Sequence, residues 1–209
     1  KIINDTDTAS GRPYNIGTMQ LGADVGEVFT YYSQGQLNDT NNYLDMAIRD
    51  SDNAFFTVAA LDTGGNTEVF YTRDGFFSRS SNNTLVTKDG HVVLGENGPI
   101  ILQGGEFTVE PDGTVSQGEE ILDRLLITEF ADTSVLRKHG NNLIRAEAGS
   151  ETLEFSGTIQ QGTTELSNVN IVREMVDMIT VLRSYEANQK VLQAIDSTLE
   201  KAVNRVGAL

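Results

Sequence analysis

From Asn170 onward, apolar side chains recur at Val172, Met175, Ile179, Leu182, Tyr185, Leu192, Ile195, Leu199, Ala202 and Val206. Steps of mostly three and four put them on one stripe of an α-helix. No Pro interrupts the run and no Gly occurs before Gly207, which suits the position just past a helix end. Ser167, Asn168 and Asn170 each offer a side chain able to cap the first turn. A helix over residues 166–209 would be about 60 Å long at roughly 1.5 Å per residue. Two homes suit it: the core of its own domain, or lengthwise packing against other helices as in coiled coils and bundles. Two gaps of three adjoin at Leu182, so the stripe drifts there and does not by itself specify a regular two-stranded coil.

The remaining chain carries a different pattern. Lys1–Gly22 is polar and reads as linker. Glu27–Tyr32 and Leu44–Ile48 are short strand candidates, and Gly35–Thr40 reads as a turn region. Phe55–Leu61 and Glu68–Thr72, separated by the turn cluster around Gly64-Gly65, form the clearest hairpin. Beyond it, short apolar runs alternate with turn signals at the spacing of sandwiches and barrels. Those runs are 76–78, 84–87, 91–94, 100–102, 107–109, 125–128, 135–136, 142–146, 153–155 and 158–159. Asp89-Gly90, between two of them, suits a type I′ turn. The expected fold class is therefore mainly β with a long C-terminal α-helix. Residues 23–162 make an antiparallel β-rich body and residues 163–209 a helical domain. No second helix is predicted, so the long one has no mate in this chain.

Composition narrows the function classes. Cysteine is absent from the 209 residues, which excludes disulfides, thiolate metal sites and a cysteine nucleophile. No apolar run is long enough to span a membrane, so a membrane-embedded chain is not expected. The start, Lys1 to Thr6, has neither a Met nor the apolar core of a secretory signal, as expected of a trimmed chain. The net charge is −15, yet residues 166–209 carry five bases and five acids, so the whole excess lies in residues 1–165. An acidic body repels phosphate backbones and argues against nucleic acid as a partner.

Candidate chemistry is sparse. His91 and His139 stand apart beside turns, and Asp50-Ser51-Asp52 begins like a calcium loop without its Gly and Glu. Phosphate loops, dinucleotide fingerprints and nucleophile elbows are absent, so no catalytic, cofactor or metal residue is assigned. One alternative stays open. An acidic β body could hold a carboxylate pair and act as a cell-wall carbohydrate-binding or hydrolysing protein.

The order of short motifs points elsewhere. Gln34-Gly35-Gln36-Leu37 is followed by Asn41-Asn42-Tyr43-Leu44-Asp45-Met46-Ala47-Ile48, then by Phe55-Phe56-Thr57-Val58. Tyr71-Thr72-Arg73-Asp74-Gly75-Phe76-Phe77 and Leu85-Val86-Thr87-Lys88-Asp89-Gly90 come next, then Gly140-Asn141-Asn142-Leu143. Glu165-Leu166-Ser167-Asn168-Val169-Asn170 and Arg183-Ser184-Tyr185-Glu186-Ala187-Asn188 close the series. In this order the chain resembles the bacterial flagellar rod and hook family. The likeness is to its basal-body rod members, of the FlgG or FlgF type or the related FlhO and FlhP type. Family members usually have a Gly just before the paired Phe, where this chain has Asp52-Asn53-Ala54.

The resemblance implies a structural subunit without enzymatic activity, cofactor or small-molecule substrate. It implies export by the flagellum's own secretion apparatus and a place in the basal body. The partners implied are copies of itself and other axial rod and hook proteins. In such proteins the C-terminal helix pairs with an N-terminal helix, which the present chain is expected to lack. The seam expected to be buried by assembly is Val172, Met175, Ile179, Leu182, Tyr185, Leu192, Ile195 and Leu199, with Arg183, Glu186 and Asn188 in or beside it.

Overall fold

The computed structural model describes residues 2–6, 13–18, 30–61 and 67–206. The chain divides into two compact units, Lys1–Tyr31 and Tyr32–Leu209. In the first, Ile2–Thr6 and Pro13–Thr18 pair antiparallel, with a register irregularity between Ile3 and Asn4. This stretch reads as linker in the sequence, because its polar residues show no alternation.

The second unit is built around Ala54–Leu61, a run of aromatic, β-branched and small residues that suits a strand covered on both faces. Successive side chains point to opposite faces. Ala54, Phe56, Val58 and Ala60 therefore join the larger apolar core with Met46, Ile48, Phe77, Leu85 and Val93. Phe55 points the other way, into a smaller core with Phe130, Leu136 and Ile144. Each core has its own edge-on aromatic contact: Phe56 meets Phe77 at 5.1 Å between ring centres in the larger, and Tyr71 meets Phe130 at 4.9 Å in the smaller.

One edge of this strand pairs with Thr67–Thr72, from Phe56 opposite Thr72 to Leu61 opposite Thr67. The other edge is shared. Val58 and Ala59 pair with Val92–Gly95, while Ala54 to Phe56 pair with Ile127–Phe130. The ladder runs Leu136–His139, Leu143–Ala146, Thr67–Thr72, Ala54–Leu61, Val92–Gly95, Leu85–Thr87, Phe77–Arg79, all antiparallel. The hairpin flanks around residues 64–65 are thus as expected, while the turn itself, like Glu27–Phe29 and Gly207, lies outside the described residues. Thr30–Tyr32 has no regular structure.

Several expectations change. Only Gly90 takes a positive φ (87°) in the Asp89-Gly90 turn, and its N–H donates to Thr87 O at 2.9 Å. The connection is therefore an ordinary turn closed by one left-handed glycine, where a type I′ turn needs two such residues. Residues 100–102 form no strand. Ile100 and Leu102 are buried, and Ile101 makes a single bridge to Thr84. Conversely, Thr114–Gln117 and Glu120–Arg124 pair as strands although only Val115 among them is buried. Backbone pairing on an exposed surface leaves no apolar alternation to read. Leu37–Asp39, expected as turn, pairs with Thr163–Glu165. From there the chain enters a single helix, Ile171–Val206, of 36 residues. The architecture is mainly antiparallel β with a long C-terminal helix.

Candidate functional site

Asn170 starts the helix. Its Oδ1 accepts the N–H of Arg173 at 3.1 Å, and its carbonyl accepts the N–H of Glu174 at 3.0 Å. Of the three candidate caps, this one has the N-cap geometry, and Glu174 complements the positive end of the helix dipole. The hydroxyls of Thr180, Ser184 and Thr198 return to carbonyls one turn back, so none needs an outside partner.

Every residue from 171 to 204 is exposed. The expected seam is therefore unburied: Met175, Leu182 and Leu192 show 57%, 54% and 62% of their surface to solvent. The helix does not fold back onto its own sheet, which removes the first of the two homes read from the pattern. Ile171, Met178 and Val203 are equally exposed large apolar groups that the expected stripe omits. Arg183, Glu186 and Asn188 are exposed too. Glu186 and Lys190, four apart, form no ion pair, while Gln189 Nε2 donates to Tyr185 Oη at 2.8 Å.

The neck below the helix is closely built. Two chain passages, 33–39 and 163–168, run antiparallel, with Leu166 N–H donating to Gln36 O at 2.9 Å. A Cβ on Gly35 would lie 1.8 Å from Leu166 O, so only glycine permits this approach. Glu165 accepts the Gly35 N–H at 2.7 Å through one carboxylate oxygen and Arg73 Nε at 2.7 Å through the other. Arg73 also donates to Ala54 O at 2.9 Å, which links the helix base to the central strand. Asn168 Nδ2 bonds Ser33 at its carbonyl and hydroxyl, and Val169 N–H donates to Ser167 Oγ. Asp45 is buried and satisfied by Thr40 Oγ1 at 2.7 Å and Asn42 Nδ2 at 3.1 Å. Nearby, Asp74 accepts the Phe76 N–H and Asn142 Nδ2. Gly75 lies so close to Met46 that a Cβ would meet its carbonyl at 1.5 Å.

Gly35, Arg73, Glu165 and Asn168 thus meet at the base of the helix, and the chain is similar to known proteins. Residues 160–205 match the family model described as the flagellar basal body rod FlgEFG protein C-terminal. Residues 51–117 match the flagellar hook protein FlgE/F/G D1 domain. A flagellar basal-body rod protein FlgG of Borreliella burgdorferi is 33% identical over 228 aligned positions, covering 97% of this chain and 82% of that protein. The rod protein FlgF of Caulobacter vibrioides is 34% identical, covering 85% of this chain and 71% of its own length. FlhO of Bacillus subtilis, a flagellar hook-basal body complex protein, is 28% identical over 93% of this chain and 76% of its own length. The chain belongs to the flagellar basal-body rod protein family.

As a member of this rod family it is a structural subunit of the flagellar basal body and not an enzyme. The carbohydrate alternative finds no support. A groove of about 540 Å³ beside Tyr71 and Phe130 does hold two carboxylates, Glu68 and Glu147. Each is engaged in an ion pair, Glu68 with Arg145 at 2.5 Å and Glu147 with Arg137 at 3.3 Å. Among the described residues no helix is long and apolar enough to cross a membrane. Glu165 and Gly35, central to the neck, stand in the quoted motifs but were assigned no role from sequence. Only their contacts across 130 residues reveal one.

Proposed function

We propose that this rod subunit assembles through the apolar seam of its C-terminal helix, packed lengthwise against helices of other flagellar axial subunits, copies of itself among them. The carrying observation is a capped 36-residue helix whose described large apolar side chains are all at least half exposed. Monomeric proteins rarely leave such a contiguous apolar surface uncovered. Burying the seven seam residues from Met175 to Leu199 at about 1.5–3 kcal/mol each supplies roughly 10–20 kcal/mol before ordering costs. The neck sets the direction in which the helix leaves the sheet, and the β body lies beside the resulting helical assembly.

The test is the double substitution L182D/L192D introduced into the flagellated bacterium. The variant chain should be absent from isolated basal bodies while keeping the thermal midpoint of its β body. Normal incorporation of the variant would remove the seam from the assembly surface.

A further inference from the structure

Asparagine is followed by glycine once in the 209 residues, at Asn97-Gly98. Asparagine is a thermolabile residue, and a following glycine puts no side chain in the way of its own backbone nitrogen. The pair stands at a hairpin tip. Gly95 and Gly98 are paired across the Glu96-Asn97 turn, and both turn residues are exposed. Among the described residues nothing lies within 4 Å of where a Cβ on Gly98 would sit, so water reaches this peptide.

Asp123 grips this asparagine from the strand Glu120–Arg124. One carboxylate oxygen accepts the Asn97 Nδ2–H at 2.9 Å, and the other accepts the Asn97 backbone N–H at 3.2 Å. Both bonds are charge-assisted. The same contact seats the hairpin. Glu96 N–H donates to Arg124 O at 2.9 Å, Gly95 bridges Leu125, and Leu126 N–H donates to Leu94 O at 3.0 Å. A Cβ on Gly95 would lie 2.4 Å from the Asp123 carboxylate, so the two passages touch.

We propose that Asn97 is a self-modification site, deamidating to aspartate or isoaspartate, and that the Asp123 carboxylate holds this reaction slow in the folded chain. The Gly98 backbone nitrogen bonds to Asn97 Cγ, the Cγ–Nδ2 bond breaks, and ammonia leaves with the proton that Gly98 gives up. Water, the sole co-reactant, then adds to either carbonyl of the five-membered imide and opens it. Asp123 opposes the first step twice. Negative charge develops on the Asn97 side-chain oxygen beside an anionic carboxylate, and Nδ2 must gain a proton where its neighbour only accepts one. Bonds made by the ground state and lost on the way to the ring raise the barrier. The product sets a new carboxylate against Asp123 and Glu96, with Arg124 3.6 Å from Glu96 as the base paired there. Like charges in contact repel. The isoaspartate form also lengthens the backbone and breaks the Gly95–Gly98 register. Conversion therefore releases the hairpin tip from residues 123–126.

The test incubates the whole chain, its Asp123→Ala variant and a synthetic peptide of residues 93–101 in mildly alkaline buffer. Mass spectrometry of the fragment holding Asn97 gives each rate, with the fold checked by circular dichroism. The peptide should react about tenfold faster than the folded chain, and Asp123→Ala should recover most of that gap. Glu96→Ala, which removes the exposed partner of Arg124, should stay within about twofold of the parent rate. A parent chain as fast as the peptide overturns the restraint, and no conversion in either overturns the site. Equal acceleration by both substitutions assigns the protection to the turn as a whole and overturns the role of Asp123. Should Asp123→Ala lose its fold, Asp123→Asn keeps an acceptor for one of the two donors. An intermediate rate is then expected, and the parent rate overturns the proposal. Asn97→Asp should speed amide exchange at residues 94–98 and 123–126 while Ala54–Leu61 stays protected. Unchanged exchange there overturns the release.

Discussion

Arg73 and Glu165 are 17% and 10% exposed at their side chains, and Arg73 Nη2 is buried without a hydrogen-bond partner. A buried pair of this kind contributes little net stability, yet removing one partner strands the other charge away from water. Arg73→Met should therefore destabilise the chain by about 3–5 kcal/mol, read by urea unfolding with circular dichroism. A loss under about 1 kcal/mol would mean that water reaches Glu165 as at an exposed pair. Tyr71, packed on Phe130, has its phenol pushed above the usual value of 10.0 by burial. The unfolded chain then ionises first, so this contribution is intact below pH 10 and is lost as pH rises through the folded value. In alkaline unfolding curves, Tyr71→Phe should flatten that decline relative to the parent chain.

The helix shows what a single cap can do at the level of an element. With every residue from 171 to 204 exposed, its stability outside an assembly rests chiefly on propensity, capping and intrahelical bonds. Asn170→Ala removes the acceptor for the Arg173 N–H and should cost about 1 kcal/mol. Faster amide exchange at residues 171–174, with unchanged exchange in the Ala54–Leu61 strand, is the expected reading. If the strand loosened as well, helix and sheet would form one cooperative unit. The strand itself is stable for the opposite reason, being covered on both faces and paired along both edges.

For the whole molecule, the sheet and the helix have separate tasks, and the same seam substitution exposes the separation. L182D/L192D should abolish incorporation into basal bodies without moving the thermal midpoint, because neither side chain touches the core. The body folds by burying its own apolar residues, whereas the helix leaves its described apolar residues exposed.

The sequence by itself determined the period of each element. A spacing of three and four over residues 172–206 can only stripe a helix, and Phe55–Leu61 with Glu68–Thr72 can only pair as a hairpin. Those local rules offered three caps, Ser167, Asn168 and Asn170, of which the structure uses Asn170. Tertiary structure alone decided which surfaces meet. Glu165 and Gly35 are 130 residues apart and carry no local signal of their contact. Thr114–Gln117 and Glu120–Arg124 pair through backbone groups that every residue possesses, so their side chains announce nothing. Exposure of the helix is likewise a fact of three dimensions: periodicity marks an apolar face, and only the positions of the other elements show that nothing among the described residues covers it.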